Sequence, residues 1–486
     1  MNPIVALPAR ELAAAIARRE LACVEVISAF LSQIEEHNSR ANAIVALRER
    51  DVLLVEARAQ DAQIAAGVRP GPLAGLPLAV KDLAEVAGIR STMGSLLLRD
   101  HLPAAEGIMV GRLRRAGAIL IGKTNVPEFG LGSHTYNAVY GATTNAYDPT
   151  RSAGGSSGGA AVALALRMVP IADGSDFGGS LRNPAAWNNV FGLRPSIGRV
   201  PQEGAEQWIP SMGVAGPMAR TVGDLALLLS VQAGFDRRSP LSLETDTRSY
   251  LGSLEADVTG TRLAWLGDWN RQVPHDPAVL EVCRGALAVF EDMGCVVEAA
   301  HPAIDVEPVW QAVLTLRSWL LAPKLLPLAD DPAARPLLGA QALWEAENAR
   351  GLSGSRIMRA SEIRTAFSLR IERLFDRYDF LLMPAAQTFP FPVQERWPRQ
   401  VAGREMRTYH EWMLGNLLIT MTGLPSLAVP AGFSAAGLPA GIQIIGRNRE
   451  EIACLRMARA YERAQAPVTG RLPDALRPAA GSSAAR

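Results

Sequence analysis

The stretch 151-RSAGGSSGGAAVALALRMVPIADGSDFGGSLRNPA-185 decides how the rest of the chain is read. Two glycine-serine clusters, GGSSGG at 154–159 and GSDFGGS at 174–180, flank an apolar, alanine-rich run. Glycines beside a serine let backbone N–H groups approach a ligand closely and permit positive-φ turns that expose a hydroxyl. Gly/Ser-rich segments ordinarily form flexible linkers, which sit among polar, low-complexity residues. Here 160–169 is a run of strong helix formers, and Pro170-Ile171-Ala172 reads as a short buried strand. Two such serines, linked by one short helix and one short strand, point to chemistry.

Outside this block, composition sets the bounds. The chain has 486 residues, 48% of them hydrophobic, which is ample for a large core. Length alone suggests about two to four domains, yet no linker or internal repeat divides the chain. One domain over 1–470 is therefore expected, with an Ala/Pro/Ser-rich, disordered tail at 471–486. A net charge of +1 with no basic cluster gives no electrostatic support for nucleic-acid or anionic-membrane binding. Cys23, Cys283, Cys295 and Cys454 show no paired spacing and read as buried thiols of a reducing compartment. The six histidines form no HxxxH or HExxH pattern, so neither a metal nor a cofactor site is expected. The N-terminus lacks a signal-peptide pattern, and no run of about eighteen apolar residues is evident. A cytoplasmic protein is the expectation.

Lysine usage narrows the search. Only Lys81, Lys123 and Lys324 accompany the many arginines. A chain that makes its positive surface from arginine keeps lysine for work arginine cannot do, such as losing a proton. Residues 76–80 read as a strand running into Lys81, where α/β sheets usually place site residues. Lys123 reads as a surface or strand-end lysine. Gly117 to Thr124 matches GxxxxGK[ST], but the four intervening residues are Ala-Ile-Leu-Ile, a strand, and Asn125-Val126-Pro127 follows instead of a helix. A phosphate loop needs the reverse order, so nucleotide binding is rejected. Elsewhere helices at 9–19, 23–37, 51–66, 221–233, 277–293 and 450–463 alternate with strands at 118–121, 262–266, 295–298 and 378–384. A hairpin-like pair is expected at 426–430 and 442–445, and 303–376 reads as helical.

Lys81, GGSSGG and GSDFGGS together resemble the amidase signature family, serine hydrolases with a Ser–cis-Ser–Lys triad. The resemblance takes in GLPLAVKD (75–82), GKTNVPEFG (122–130), NAYDPTRSAGGSSGGAA (145–161), GSDFGGSLRNPA (174–185) and GLPAGIQIIG (437–446). It implies an α/β fold with a large mixed β-sheet flanked by helices on both faces. The signature core would span about 75–200, and the variable helical substrate region about 303–376. Carried over by position, Ser180 matches the nucleophile, Lys81 the base, and Ser156 the bridging serine preceded by a cis peptide bond. The N–H groups of Phe177, Gly178, Gly179 and Ser180 fall where the family builds its oxyanion hole. Ser175 and Phe177 depart from the commoner threonine and isoleucine or threonine; the Phe177 ring is expected to reshape the acyl pocket.

The residue types suit the chemistry. A serine hydroxyl needs a neighbouring base, and with no histidine in the block a desolvated lysine must serve. Burial disfavours the ammonium and brings its pKa toward neutrality. Ser156 would relay the proton between Ser180 and Lys81. Asp176 and Arg182 are expected to pair and hold the serine loop, and Ser157 and Ser175 to give supporting hydrogen bonds. His134 reads as a satisfied structural histidine. Asn125 suits a pocket wall or a turn equally, as Trp310, Trp319 and Trp344 suit a substrate channel or the core.

The expected activity is hydrolysis of aryl, alkyl or oligomeric amides through an acyl-enzyme, with carbamate (urethane) hydrolysis a close variant and a homodimer left open. A competing function is the glutaminase subunit of a tRNA-dependent amidotransferase, although LRPSIGRVPQEGAEQWIP (193–210) lacks the arrangement associated with that subunit. A non-enzymatic scaffold is disfavoured by the intact Lys81, Ser156 and Ser180.

Overall fold

Three short strands deliver Lys81. In the computed structural model, which describes residues 2–204, 206–209 and 212–477, Ile44–Val45 (β1), Pro77–Lys81 (β2) and Ile119–Thr124 (β3) form a small sheet ordered β1-β3-β2. Strand β2 runs parallel to β3 with Lys81 opposite Thr124. Gly122, Lys123 and Thr124 thus lie on a strand, as the rejection of a phosphate loop requires.

The main sheet has eight strands: Ile171–Asp176 (β4), Phe191–Arg194 (β5), Val214–Ala219 (β6), Arg262–Trp265 (β7), Val296–Ala299 (β8), Phe380–Pro384 (β9), Ser426–Phe433 (β10) and Pro439–Ile445 (β11). Their order is β8-β7-β9-β11-β10-β5-β6-β4. Strand β7 pairs in parallel with β8 and β9, and the other pairs are antiparallel, so the sheet is mixed. Every residue of β9 and β11 is buried. Strands buried on both faces must be covered on both, and helices such as Arg182–Trp187 and Pro277–Asp292 pack against the central pair. The expected hairpin is β10–β11, with Leu427 opposite Ile444.

Strand β4 is longer than its sequence suggests. The apolar signal stops at Ala172, but the strand continues through Gly174 and Ser175 to Asp176 because β6 pairs with it along its whole length. The partner strand overrides poor local propensity. A Cβ on Gly174 would stand 2.5 Å from Leu181 and 2.9 Å from Ser157 Oγ, so the two serine clusters meet across this glycine. The helix of the block is shifted too: it spans Gly158–Ala165 and ends before Arg167, whose φ is 57°.

The region 303–376 is helical, as expected, with Val306–Asp330, Ala340–Ala349 and Gly354–Glu372. Val306–Asp330 has the length and mean hydropathy of a membrane-crossing helix, but Arg317 and Lys324 interrupt it, so no uninterrupted run of about eighteen apolar residues occurs there, as expected. In the fold the helix packs against its two neighbours, and Trp310, Val313, Leu316 and Arg317 are buried.

Of the tail expected from 471 onward, 471–477 packs: Leu476 is buried, and the Tyr147 hydroxyl donates to the Arg471 carbonyl at 2.6 Å. Residues 478–486, and residues 205 and 210 of LRPSIGRVPQEGAEQWIP, lie outside the described residues.

Candidate active site

Lys81 ends strand β2 and is 1% exposed. Its Nζ lies 2.8 Å from Ser156 Oγ, 2.7 Å from Ser157 Oγ, 3.0 Å from Ser175 Oγ and 3.1 Å from the Ser175 carbonyl oxygen. Burial pushes the lysine pKa down to about 7, against the opposing pull of Asp173 and Asp176. At neutral pH the amine is therefore poised to hold or release a proton.

The GGSSGG loop crosses the lysine with a cis peptide bond between Gly155 and Ser156. Ser133 Oγ donates to the Gly155 carbonyl at 2.6 Å, and the N–H of Thr135 donates to the Gly154 carbonyl at 3.0 Å. The loop is tied to the second cluster as well, because the Ser157 N–H donates to the Ser180 carbonyl at 3.3 Å.

Asp176 organises the turn that carries Ser180. Its Oδ1 accepts the Gly179 N–H at 2.8 Å and its Oδ2 accepts the Leu181 N–H at 3.1 Å. Arg182 donates to both oxygens at 3.0 Å, and Arg194 approaches Oδ1 at 3.4 Å. Burial alone would raise the carboxyl pKa, but the two guanidiniums hold it far below the usual carboxylate range. Arg182 also reaches Gln443 Oε1, the Asn416 carbonyl and Thr420 Oγ1, anchoring the turn in the core. The expected pairing of Asp176 and Arg182 is present.

One expected donor is already engaged. The Gly179 N–H belongs to Asp176, whereas the N–H groups of Phe177, Gly178 and Ser180 have no hydrogen-bond partner among the described residues. Gly179 holds φ 109°, and a Cβ there would stand 2.6 Å from Asn416 Nδ2.

Other candidates fall outside this centre. Lys123, expected at a surface or strand end, stands next to the end of β3 but is fully buried and not at the surface; it lies 3.5 Å from Asp82 and donates to Ser91 Oγ and the Ala84 carbonyl. That correction follows from a tertiary partner forty-one positions upstream. His134 is structural, bonded to Ser152 Oγ at 2.7 Å and the Val393 carbonyl at 3.0 Å. Asn125 is also a structural residue, accepting from Asn137 at 2.7 Å and donating to Thr143 at 3.0 Å.

Sequence reasoning missed Asp173, whose Oδ1 accepts the Lys81 backbone N–H at 3.0 Å. It also missed Arg317 of the long helix, whose guanidinium covers the Phe177 ring at 4.8 Å and bonds Glu345 at 2.5 Å and Tyr409 at 3.3 Å. The helical region therefore reaches the serine loop. Trp310 is core and packs edge-on against His410; Trp344 packs on both Tyr409 and His410.

The two glycine-serine loops bring together the buried Lys81, Ser156 beside it, and the Ser180 turn, where the N–H groups of Phe177, Gly178 and Ser180 are unpartnered among the described residues. Comparison with known proteins gives the family: the amidase family pattern matches residues 25–455, so the chain belongs to the amidase family and is an amide-hydrolysing enzyme. It is similar to an acylamidase of Rhodococcus erythropolis, 34% identical over 460 residues, covering 94% of this chain and 95% of that one. It is also similar to one of the subunits of the glutamyl-tRNA(Gln) amidotransferase of Thermus thermophilus, 36% identical over 488 residues, covering 94% and 97%. Among solved structures, a bacterial aryl acylamidase superposes with a TM-score of 0.89 at 30% identity, covering 98% of this chain and all of that chain.

Proposed function

We propose that this amidase attacks carboxylic amides with Ser180, using Ser156 as proton relay and Lys81 as base. The observation that carries this reading is the fully buried Lys81 Nζ set 2.8 Å from Ser156 Oγ. A neutral amine offers two N–H bonds and one lone pair. The Ser175 carbonyl can only accept, so it takes one N–H; Ser157 or Ser175 Oγ takes the other, and the lone pair is left for the Ser156 proton. Ser157 and Ser175 thereby position the base, while Asp176 and Arg182 position the nucleophile's turn.

The steps balance. Ser180 Oγ bonds to the carbonyl carbon as its proton passes to Ser156, and the Ser156 proton passes to Lys81. The C–N bond then breaks, and the leaving amine takes the proton back along the same route. Water repeats the sequence on the acyl ester and frees the acid. The unpartnered N–H groups of Phe177, Gly178 and Ser180 are the oxyanion donors of this reading, each worth about 3 kcal/mol, or about 10²-fold in rate. Gly179 sets the turn instead of donating to substrate.

Aryl, alkyl or oligomeric amides are the proposed substrates, supported by the likeness to acylamidases and by Arg317 and Phe177 beside the turn. Carbamates are a close variant, because the same attack serves their carbonyl. We take the chain as one catalytic unit over 1–470, with 303–376 facing the substrate. The four buried free thiols support a reducing cytoplasm. A homodimer is part of the proposal, to be checked by light scattering.

The amidotransferase relatives favour a second reading, a glutaminase subunit that needs a partner. Initial rates of aniline release from acylanilides, set beside ammonia release from glutamine, separate the two. The hydrolase reading predicts aniline release by the purified chain and none by Ser180→Ala. Glutamine hydrolysis that appears only with added partner subunits, with no anilide turnover, would sink it.

A further inference from the structure

A cavity of about 470 Å³ reaches Lys81 from a second direction. Lys81, Asp173, Gly174 and Ser175 line it, whereas Ser156, Phe177 and Ser180 do not. Its walls include Leu83, Ile108, Met109, Val110 and Ala215, and the volume lies within the range of small-molecule pockets. Exposed Glu85 and Glu203 and half-buried Glu106 stand toward solvent.

Asp173 is the unusual group in this cavity. It is 1% exposed, yet only Oδ1 has a partner, the Lys81 backbone N–H; Oδ2 has no hydrogen bond or ion pair among the described residues. The charges around it are otherwise assigned. Asp176 is matched by Arg182 and Arg194, and Asp82 by Lys123. Glu106 and Glu203 pair with Arg114 and Arg238 at 2.8 and 2.9 Å, and Glu85 shares a hydrogen bond with His101 at 3.0 Å. Lys81 points its Nζ into the serine cluster. Lys123 and Lys81 attract Asp173 without bonding its carboxylate, and Lys123 is paired with Asp82. When Lys81 is neutral, Asp173 is a buried carboxylate with no ion-pair partner among the described residues, an expensive state. Burial accordingly pushes its carboxyl pKa up to about 6.

We propose that this cavity is a second binding site, for an organic ammonium ion with a short apolar body, anchored on Asp173. The apolar walls suit an alkyl or aryl body. A metal ion would need several more oxygen ligands than one carboxylate supplies, and no metal-ligating cluster occurs among the described residues. A bound cation adds positive charge near Lys81 and favours its neutral amine. That consequence rests on the reading of Lys81 as the base; the binding itself does not.

The test is calorimetric titration of n-hexylammonium chloride into the full chain at pH 7.5, with n-hexanol and hexanoate as neutral and anionic controls. Asp173→Asn removes the anchor, and Ala215→Leu fills the space opposite Ser175, its neighbour across the sheet. Thermal unfolding checks that each variant is folded. Expected are saturable uptake of one hexylammonium by wild type, binding at least tenfold weaker in either variant, and none of hexanoate. Uptake should persist after Ser180 is blocked with a sulfonyl fluoride. No saturable binding to wild type, undiminished affinity in a folded Asp173→Asn chain, or loss on blocking Ser180 would overturn the proposal. Failure of the reagent to modify Ser180 counts against the hydrolase reading alone, because the two variants still locate the binding.

Discussion

Asp176 Oδ1 accepts the N–H of Gly179 at 2.8 Å, so the carboxylate shapes the turn one residue ahead of Ser180. Its second oxygen holds the Leu181 N–H one residue beyond. Ser180 is thus pinned from both sides without any contact between Asp176 and its hydroxyl. The bonds that shape the turn are internal to the protein, which is what preorganised catalysis requires.

Replacing this carboxylate tests the arrangement. Asp176→Asn leaves Arg182 and Arg194 buried without their counter-charge and puts an amide N–H₂ where only acceptors fit. Breaking a buried charge pair costs about 3–5 kcal/mol. Chemical denaturation should show a loss of that size.

The two glycines before Ser180 should respond differently. Gly179→Ala forces φ 109° on a residue with a Cβ and drives that Cβ to 2.6 Å from Asn416, itself held by a bond to the Ala385 carbonyl. Gly178→Ala meets only the Leu417 side chain, Cδ2 at 2.8 Å and Cγ at 3.3 Å, at an ordinary φ and against no backbone atom. Thermal unfolding should place Gly179→Ala about 1–3 kcal/mol below wild type and Gly178→Ala closer to it. Equal losses would contradict this assignment.

Activity should follow the lysine. With its pKa lowered by burial to about 7, Lys81 gains a proton and ceases to be a base as the pH falls through that value. A profile of kcat/KM should therefore drop about tenfold per pH unit below about 7. The same shift bears on stability. Between about 7 and the ordinary lysine value of 10.5, the unfolded chain binds the proton and the folded chain does not, so this group's contribution to stability rises with pH over that window. Lys81→Met should abolish turnover across the whole pH range.

Lys123 belongs to the frame. Lys123→Met leaves Asp82 buried without its cation, which should cost about 3–5 kcal/mol. The enzyme that remains folded should keep the pH profile of wild type, measured with the same anilide. A displaced acid limb would instead place Lys123 in the proton route.

The serine block and Lys81 were legible because their chemistry requires particular residue types: glycine beside serine, and a scarce lysine at a strand end. The alternating apolar runs pointed to an α/β arrangement, and the mixed sheet was implied by the family motifs. What escaped was fixed by tertiary pairing. Strand β4 runs on through Gly174, Ser175 and Asp176 because β6 supplies a partner, and local propensity carries no sign of that. Lys123 is buried because Asp82 waits on a distant turn. Arg317 reaches Phe177 from a helix about 140 positions away, beyond any periodicity. Asp173 stood in the deciding stretch, but on an apolar strand its charge had no visible purpose until the cavity beside it appeared.

The central claim is that Ser180 is a nucleophile activated through Ser156 by Lys81. Intact-mass spectrometry after exposure to a fluorophosphonate or sulfonyl fluoride, on wild type, Ser180→Ala and Lys81→Met, tests it most directly. The expected result is one adduct on wild type, forming faster as the pH rises through about 7, and none on either variant. An unlabelled but folded wild type, or an adduct that survives Ser180→Ala, would contradict it.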